Sequence, residues 1–386
     1  MTKKRILFIM SSWGAGGTNG AMSSIYHSYD KSEWDISVFL LSRTGKRDVP
    51  YKSLLLDNQP FLSAYYCNRR EFVGAERLLF FIAKMTKKVV SAVGINLEPF
   101  LFRRAAKMIE KTKQFDTIVA FIEGNVTRFG TYFSTPSKVA WIHCDYNNYL
   151  PKGKSEEKYY SQYKSIVTVS KYTSQVFAER YPSLRDKVFT VYNLFDVERV
   201  KRLSLEPVDD SRFLTDSFTI ISVGRVHPVK QFSSIPQIAA CLLTKGYKFR
   251  WYIIGPDFDV TESKRLKENI AHYNVADCVY QLGGKSNPYP YFKNADLYVC
   301  TSFSEACPMV FNEARCVGIP VVSTDFPSAF EFITNEKDGL ITSLDKLDDS
   351  LGHLMDDKEL YSALQESSAN YQYDNSKLLN QMNQLF

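Results

Sequence analysis

Short apolar runs alternate with longer amphipathic stretches along most of this 386-residue chain. Near-continuous apolar runs are typical of strands that are covered on both faces, and helix-length segments separate them. The pattern therefore predicts an α/β protein with two doubly wound, Rossmann-like domains. The predicted strands are residues 5–10, 35–41, 116–121, 138–143, 165–170, 187–192, 218–224, 249–255, 279–283, 296–302 and 318–325.

The predicted domain boundary lies in residues 197–217, a polar segment that carries a proline and breaks the rhythm of strands. A chain of this length exceeds the size at which one hydrophobic core keeps growing, so two domains are expected, residues 1–200 and 201–370. Doubly wound sheets bind ligands at the carboxyl ends of their strands. We therefore expect the ligand site in a cleft between the two domains.

The sequence argues against a secreted or membrane-spanning protein. The amino end, KKRILFIMSS, has no long apolar stretch after its cations, so no signal peptide is expected. No run approaches the roughly 18 uncharged apolar residues of a spanning helix. The seven cysteines form no C-x-x-C pair, which favours reduced thiols over a disulfide framework or a metal site. We expect a cytoplasmic protein.

Charge is distributed unevenly along the chain. Residues 1–200 hold 30 lysines and arginines against 18 acidic residues, and the remainder holds 18 against 24. The basic half is expected to face an anionic partner. Nucleic acid is disfavoured, because no helix-turn-helix, RNP or zinc pattern accompanies the charge.

Residues 78–115 combine this positive charge with aromatic and aliphatic side chains, and two interpretations are open. The segment is either a basic amphipathic face that lies on an anionic membrane, or a pair of core helices whose outer faces are solvated. Its cations are Lys84, Lys87, Lys88, Arg103, Arg104, Lys107, Lys111 and Lys113.

Two cations follow a predicted strand of the second half. Strand 218–224 runs into Gly224 and Arg225, and Lys230 lies five positions beyond Arg225. Cations at the carboxyl end of a strand suit a phosphate, and a solvated surface pair is the alternative.

The stretch TSFSEACPMVFNEARCVGIPVV, residues 301–322, places Glu305 in a loop before a helix that is predicted from about Met309. Pro308 suits the first turn of that helix, whose free N–H groups and positive dipole end attract anions. The two glutamates contact a ligand or act structurally, Glu305 as a helix cap and Glu313 in a buried salt bridge.

A glycine-rich loop follows the first strand. The stretch SSWGAGGTNGAMSSIY, residues 11–26, holds four glycines around the start of a helix predicted near Ala21. Its backbone is able to approach a phosphate closely, and simple turn chemistry is the alternative.

Together these motifs resemble a known family. Gly224, Arg225, Lys230 and the pattern S-x-x-E-x-x-P-x-x-x-x-E-A-x-x-x-G-x-P-V look like the signature of the retaining GT-B glycosyltransferases of family 4, the group 1 nucleotide-sugar transferases. The resemblance implies a GT-B fold whose C-terminal helix, here in residues 371–386, returns to the first domain. Further similar segments are residues 169–177, 191–200 and 282–302 and the WIHCD stretch at His143.

The resemblance also implies roles for single residues. Arg225 and Lys230 are expected to hold the donor diphosphate in an enzyme that needs no metal and no cofactor. Glu305 and His143 are expected at the reacting sugar, Glu305 at its hydroxyl groups and His143 near its anomeric carbon. The other donor contacts are assigned to Glu313, at the ribose hydroxyls, and to the backbone of Gly16, Gly17, Met309 and Val310.

The implied reaction transfers a sugar from a nucleotide-diphosphate sugar, most simply a UDP-sugar, to an acceptor hydroxyl with retention at the anomeric carbon. A hexosyltransferase-type enzyme of bacterial surface polysaccharide biosynthesis, such as capsule or lipopolysaccharide, is expected, with a lipid-linked glycan acceptor and a place on the inner face of the cell membrane. The alternative is a GT-B-shaped partner subunit that binds a nucleotide or glycan without turnover.

Two segments depart from the family pattern. Ala306 follows Glu305 where the family has glycine, which leaves the donor sugar open. Residues 253–266 lack the second glycine that the family has after Gly255, so the reading of the base edge there is open as well.

Overall fold

The computed structural model describes residues 3–13, 16–42, 60–66, 72, 74 and 76–386. The chain forms two compact units, Met1–Leu194 with Ser376–Phe386, and Phe195–Asn375. The division after Leu194 falls just before the predicted linker 197–217. The side chain of Asp196 already caps a helix of the second unit by accepting a hydrogen bond from the backbone N–H of Arg199.

A six-stranded parallel sheet forms the centre of the first unit. Its strands are β1 Lys4–Met10, β2 Trp34–Leu40, β3 Thr117–Ala120, β4 Ser137–Ile142, β5 Ser165–Thr168 and β6 Val188–Thr190. They lie in the order β2-β1-β3-β4-β5-β6. The chain reverses its direction of travel at the neighbours β1 and β3, and doubly wound sheets bind ligands at such a point.

Helices connect these strands, as parallel pairing requires. They are α1 Gly17–Ser28, α2 Pro60–Tyr66, α3 Glu76–Ala92, α4 Glu98–Thr112, α5 Asn125–Gly130, α6 Tyr146–Tyr149, α7 Glu157–Tyr160 and α8 Lys171–Arg180, with a 3-10 helix over Pro182–Lys187. The central strands β3 and β5 are buried along their whole length, which agrees with their near-continuous apolar sequence.

The second unit is built on another six-stranded parallel sheet. Its strands are β7 Phe218–Val223, β8 Phe249–Ile254, β9 Val279–Gly283, β10 Leu297–Cys300, β11 Val321–Thr324 and β12 Leu340–Thr342. They lie in the order β12-β11-β10-β7-β8-β9. The reversal point is between β7 and β10, which are neighbours in the sheet although two strands separate them in sequence.

The helices of the second unit complete its two layers. They are α9 Val197–Leu203, α10 Ile235–Thr244, α11 Val260–His272, α12 Tyr289–Lys293, α13 Met309–Cys316, α14 Ala329–Phe332, α15 Leu347–Asp356 and α16 Lys358–Ala369. Short 3-10 helices cover Pro228–Lys230, Phe232–Ser234 and Leu344–Lys346.

The last helix, α17 Ser376–Leu385, belongs to the first unit. The hydroxyl of Thr117 donates to the carbonyl oxygen of Phe386 over 2.9 Å. The Phe386 ring lies 5.8 Å from the ring of Phe8 and 6.4 Å from that of Trp34, centroid to centroid. These contacts attach the segment to β1, β2 and β3.

The predicted fold class is confirmed, since two doubly wound parallel sheets are present. Every predicted apolar run contains a strand, although several strands are shorter than the run; Ser170, for example, caps α8 instead of ending β5. The sequence does not predict the edge strand β12, because its apolar run consists of Leu340 and Ile341 alone and is too short for a recognisable pattern. Within the described ranges, no helix has both the length and the hydropathy needed to cross a membrane.

Candidate active site

The carboxyl ends of β7 and β10 lie side by side at the reversal point of the second sheet. Ile220 pairs with Leu297, and Ile221 pairs with Tyr298. The loops that follow the two strands are therefore neighbours. These loops carry the cations and the first glutamate of the predicted site.

Hydrogen bonds join the two loops directly. The backbone N–H of Phe303 donates to the carbonyl oxygen of Val229 over 3.0 Å. The hydroxyl of Thr301 donates to the carbonyl oxygen of Lys230 over 2.6 Å. The backbone around Lys230 is thereby held against the loop that follows β10.

Lys230 and Glu305 form an ion pair between these loops. Lys230 Nζ donates to Glu305 Oε1 over 2.6 Å, and the hydroxyl of Ser302 donates to the same oxygen over 2.7 Å. Each side chain of the pair is only 17% exposed. Both bonds use Oε1, so Oε2 has no partner among the described residues and remains available to accept hydroxyl groups of a ligand.

The charge of Lys230 is secured by this pairing. Burial acts to lower the pKa of Lys230, but the Glu305 carboxylate outweighs the burial, and the pKa lies above its ordinary value. Lys230 is therefore cationic throughout the physiological pH range.

The strand ends beside this pair pass very close to each other. A Cβ atom on Gly255, whose φ is +157°, would lie 1.7 Å from the carbonyl oxygen of Gly224. A Cβ atom on Gly224 would lie 3.1 Å from Lys230 Cε. Glycine is required at position 255, since any side chain there would overlap the neighbouring backbone.

Arg225 supplies a second cation at the end of β7. Its side chain is exposed, and its Cζ atom lies 4.4 Å from the centroid of the Phe258 ring. Its charge is close enough to Lys230 to act on the pKa of that residue. Two cations therefore lie together at the reversal point, as a diphosphate site requires.

The amino end of α13 adds N–H groups to the same region that have no partner among the described residues. Pro308 occupies the cap position, and no side chain in the described ranges caps the helix. The first backbone bond of the helix runs from Phe311 to Pro308, so the N–H groups of Met309 and Val310 precede the helical ladder. The interpretation of Glu305 as the helix cap is wrong, because its carboxylate is bound to Lys230 instead.

Glu313 lies inside α13, and within the described part of the chain its side chain makes one hydrogen bond. The hydroxyl of Tyr289 donates to its Oε1 over 3.4 Å. Burial raises the pKa of Glu313 to about 7, against the opposing influence of Tyr289, Lys230 and Arg199. No ion pair of Glu313 occurs in the described part of the chain, so its interpretation as half of a buried salt bridge is wrong.

Tyr289 and Arg199 were not predicted as site residues. Tyr289 follows the Asn287-Pro288 turn that belongs to the family-like segment, which was the available signal for it. Arg199 lies at the start of the predicted linker 197–217, whose first residues form α9 instead. Helix packing brings α9 and α12 to α13, and nothing in the local sequence indicates that.

In the first unit, Gly16 and Gly17 form the start of α1. Gly16 is the cap residue, with φ +154°, and none of the side chains that the structure describes caps the helix. The helix begins at Gly17, four residues before the predicted start near Ala21, because the backbone bond from Gly20 to Gly16 already closes a turn. Gly14 and Ala15 lie outside the described residues.

His143 follows β4 within a cluster of aromatic rings. Its ring lies 4.5 Å from that of Phe121 and 6.2 Å from that of Trp141, centroid to centroid. Burial lowers the pKa of His143 to about 3, so the imidazole is neutral at physiological pH. Its Nε2 atom is buried without a partner in the described part of the unit.

Glu123 lies beside His143 and was not predicted. The backbone N–H of His143 donates to Glu123 Oε2 over 3.0 Å. Burial raises the pKa of Glu123 above its ordinary value. Its position just beyond β3, at the reversal point of the first sheet, is apparent only once the strand order is known.

Residues 78–115 form most of α3 and α4. Phe80 and Ala83 of α3 are buried, while an apolar row on the same helix is exposed. The members of this row are Leu78, Phe81, Ile82, Met85 and Val89. The spacing of the row corresponds to one helix face, so α3 presents apolar side chains outward as well as inward.

Comparison with known proteins decides what this arrangement belongs to. Residues 208–371 match the family model "Glycosyl transferases group 1". Over 99% of this chain and 98% of the other, the structure resembles the crystal structure of Anabaena HepE in complex with UDP and glucose, with a TM-score of 0.74 and 17% identity. The chain is a hexosyltransferase-type glycosyltransferase with the GT-B fold.

Curated relatives of this glycosyltransferase carry consistent names. An uncharacterized glycosyltransferase of Methanocaldococcus jannaschii is 29% identical over 44% of this chain, which matches only 41% of that relative's length. An uncharacterized glycosyltransferase of Haemophilus influenzae is 20% identical over 95% of this chain and 94% of its own. A Campylobacter jejuni N-acetylgalactosaminyltransferase acting on a diphospho-undecaprenol is 26% identical over 69% of this chain and 67% of its own.

Further, partial matches of the glycosyltransferase are enzymes of O-antigen, capsular polysaccharide and lipopolysaccharide core biosynthesis. The family model covers the loops after β7 and β10 and all of α13. His143 and the glycine loop lie outside the matched residues. Their roles stay predictions from the resemblance.

Proposed function

We propose that this glycosyltransferase is a retaining family 4 enzyme that transfers a sugar from a UDP-sugar to a lipid-linked glycan in bacterial surface polysaccharide biosynthesis. The observation that carries the proposal is the ion pair of Lys230 and Glu305 at the reversal point of the second sheet. This pair places a cation for phosphate and a carboxylate for sugar hydroxyls next to each other. The following contacts support each part of the proposal.

Arg225 and Lys230 bind the donor diphosphate. They lie at one strand end, and the free N–H groups of Met309 and Val310 at the start of α13 add dipolar attraction for an anion. During transfer the leaving nucleoside diphosphate gains negative charge, which these groups stabilise. The protein itself supplies the cations, so the proposal includes no metal and no other cofactor.

Glu305 contacts the hydroxyl groups of the donor sugar. Its Oε1 is occupied by Lys230 and Ser302, which fixes the carboxylate, while Oε2 is available. A carboxylate that is held in this way accepts hydrogen bonds from a sugar without first losing side-chain freedom. The same ion pair therefore links the phosphate end of the donor to its sugar end.

Glu313 accepts hydrogen bonds from the ribose hydroxyls. The carboxyl group is buried beside Tyr289 and has a pKa near 7, so it is close to half-ionised at neutral pH. Hydrogen bonds donated by a ribose favour the charged form. Donor binding is expected to ionise Glu313.

The transfer step balances without an enzymic nucleophile. The bond between the anomeric carbon and the phosphate oxygen breaks, and its electron pair stays on the phosphate. The acceptor oxygen forms its bond to the same face of the carbon and gives its proton to a phosphate oxygen.

In the first unit, His143 is neutral and Gly16 and Gly17 start a helix; we assign the acceptor and the loop over the donor to this unit.

The acceptor assignment draws on the relatives. The Campylobacter relative is named for a diphospho-undecaprenol substrate, and others are named for O-antigen and capsule biosynthesis. A lipid-linked acceptor requires the enzyme to work at a membrane. The outward apolar row of α3 and the cations of residues 78–115 are the surface that we assign to this contact.

A donor panel of UDP-, GDP- and ADP-sugars with a polyprenyl-diphosphate-linked glycan tests the proposal. We expect turnover with a UDP-sugar in the presence of a metal chelator, and an anomeric configuration in the product, read by NMR, that equals that of the donor. Turnover by Arg225→Ala and Glu305→Gln is expected to fall at least roughly a hundredfold, as for the loss of groups at a developing charge. Inverted product, or no turnover with tight nucleotide binding, would contradict it; the second result would indicate a non-catalytic partner subunit.

A further inference from the structure

The loop after β8 carries an exposed aromatic residue against the phosphate-binding end of β7. Phe258 is 58% exposed, and its ring centroid lies 4.4 Å from Cζ of Arg225. The segment 253–266 that contains Phe258 is the one that departs from the family's glycine pattern. The proposed function leaves this residue without a role.

Backbone pairing holds Phe258 in place. Beyond the ends of the two strands, the N–H of Val226 donates to the carbonyl oxygen of Pro256, and the N–H of Asp259 donates to the carbonyl oxygen of Val226, each over 3.0 Å. Val226 and Asp257 form a parallel bridge that continues the sheet. Arg225 and Phe258 therefore project from adjacent backbone segments of fixed separation.

The neighbours of Phe258 on both sides are anchored as well. The side chain of Asp257 accepts a hydrogen bond from Gln281 Nε2 over 2.5 Å. Asp259 caps α11 by accepting from the N–H of Glu262 over 2.9 Å. The backbone on both sides of Phe258 is therefore fixed, although the phenyl ring itself is exposed.

We propose that Phe258 is a positioning residue for Arg225: its ring holds the guanidinium at the end of β7 before the donor diphosphate arrives. This inference rests on the proposed function, in which Arg225 binds that diphosphate. An arginine loses substantial rotamer freedom when it is fixed by a ligand, and a guanidinium that already lies over a ring has less freedom to lose. The contact is a cation–π pair at an exposed site.

Because the Phe258 ring is proposed to act through Arg225, its replacement is expected to change the affinity for the donor. Phe258→Leu removes the ring face but keeps an apolar side chain of similar reach. Donor dissociation constants, measured by calorimetry with a UDP-sugar, are expected to rise roughly three- to fivefold, the effect of an exposed cation–π contact. Phe258→Tyr and Phe258→Trp keep a ring face and are expected to bind the donor like the wild type.

A double-mutant cycle with Arg225 distinguishes a positioning role of Phe258 from a purely structural role. In an Arg225→Ala background, Phe258→Leu is expected to have no further effect on the donor dissociation constant, since the group that the ring positions is absent. Thermal unfolding of each variant reports whether the loop remains folded. Phe189→Leu, the same substitution at an exposed position on β6 of the first unit, is the matched control.

The outcomes distinguish failure of the inference from failure of the proposed function. If Arg225→Ala leaves donor affinity unchanged, the phosphate role of Arg225 fails and the proposed function with it. If Arg225→Ala weakens the donor but Phe258→Leu does not, or if Phe258→Leu is equally harmful with and without Arg225, the positioning role is wrong. In the last case Phe258 acts on the donor directly or on the loop.

Discussion

Lys230 Nζ and Glu305 Oε1 lie 2.6 Å apart although 75 positions separate the two residues in sequence. Their strands, β7 and β10, are neighbours because the second sheet reverses its direction of winding between them. The pair unites the phosphate and sugar ends of the proposed donor site in one contact. Its consequences for stability and activity are separable.

Removal of Lys230 is expected to destabilise the protein as well as inactivate it. Lys230→Met leaves the largely buried Glu305 carboxylate without its cation, and we expect the free energy of unfolding to fall by about 1–3 kcal/mol. The double variant Lys230→Met/Glu305→Gln removes both charges and is expected to recover part of that loss, as urea unfolding would show, while transfer activity stays absent. Equal stability of wild type and Lys230→Met would contradict a structural contribution from the pair.

Glu313 is expected to make donor affinity depend on pH. Its pKa of about 7 means that the carboxylate becomes protonated as pH falls from 8 to 6. The diphosphate of a UDP-sugar does not titrate in that range, so weaker binding at the lower pH reports Glu313. Calorimetric titrations are expected to show this loss for the wild type and none for Glu313→Gln; a parallel pH dependence in both proteins would be the contrary result.

The same shift has a consequence for folding stability. A raised pKa in the folded state means that the folded protein binds more protons than the unfolded chain between the unfolded value of about 4.5 and about 7. Stability relative to Glu313→Gln is therefore highest below pH 4.5 and falls as pH rises to 7, by at most about 3 kcal/mol. Urea unfolding of the wild type and Glu313→Gln across this pH range measures the difference between their free energies of unfolding. An increase in the stability of the wild type relative to the variant as pH rises would contradict the prediction.

Gly255→Ala is expected to disrupt the donor site. The new Cβ atom would lie 1.7 Å from the carbonyl oxygen of Gly224, so the ends of β7 and β8 have to separate. We expect loss of nucleotide binding and a fall in unfolding free energy of more than about 2 kcal/mol. Gly20→Ala, on α1 with nothing within 4 Å of its added Cβ atom, is the control and is expected to stabilise the chain slightly. Similar behaviour of the two variants would refute the steric argument.

The His143 imidazole is expected to remain neutral through the physiological range. Burial lowers its pKa to about 3, so its NMR signals should not titrate between pH 5 and 8. Because the unfolded chain takes up the proton near pH 6.5, this burial reduces stability as pH falls from there toward 3. A titration midpoint near 6.5 would mean that the ring is not enclosed by Phe121 and Trp141.

The exposed apolar row of α3 is expected to bind the protein to vesicles of anionic lipid. Co-sedimentation should be stronger with vesicles that contain phosphatidylglycerol than with phosphatidylcholine alone, and weaker at high salt. Phe81→Ser/Met85→Ser is expected to reduce binding without unfolding the protein, because both side chains are about half exposed. Unchanged binding of that variant would favour the interpretation of α3 as a solvated helix.

Much of the fold was predictable from local patterns. Near-continuous apolar runs locate strands because parallel sheets are buried on both faces. Among the strands of the described residues, only β12, with an apolar run of Leu340 and Ile341, lacks that pattern. The sequence predicts the start of α1 near Ala21, which is too late, because glycines give a weak helix signal even where Gly16 caps a turn. Strand order is a long-range property that no local pattern carries.

The residues of the candidate site also fall into two groups, those that local sequence motifs indicate and those that only packing brings together. Arg225, Lys230, Glu305 and Glu313 were available from motif resemblance, because family signatures are local. Tyr289 and Phe258, which contact Glu313 and Arg225, come from other elements, as does Glu123, which contacts His143, and packing alone brings them near. The two structural interpretations of the glutamates failed for one reason: the local sequence shows neither the ion pair across β7 and β10 nor the enclosure of α13.

The most direct test of the account is calorimetric titration of UDP into the wild type and Lys230→Ala in the presence of a metal chelator. We predict that the wild type binds without metal and that Lys230→Ala weakens binding by at least roughly tenfold, the loss of one charge-assisted contact to phosphate. Binding that requires a divalent metal, or equal affinity in the two proteins, would contradict a diphosphate site built on the pair of Lys230 and Glu305.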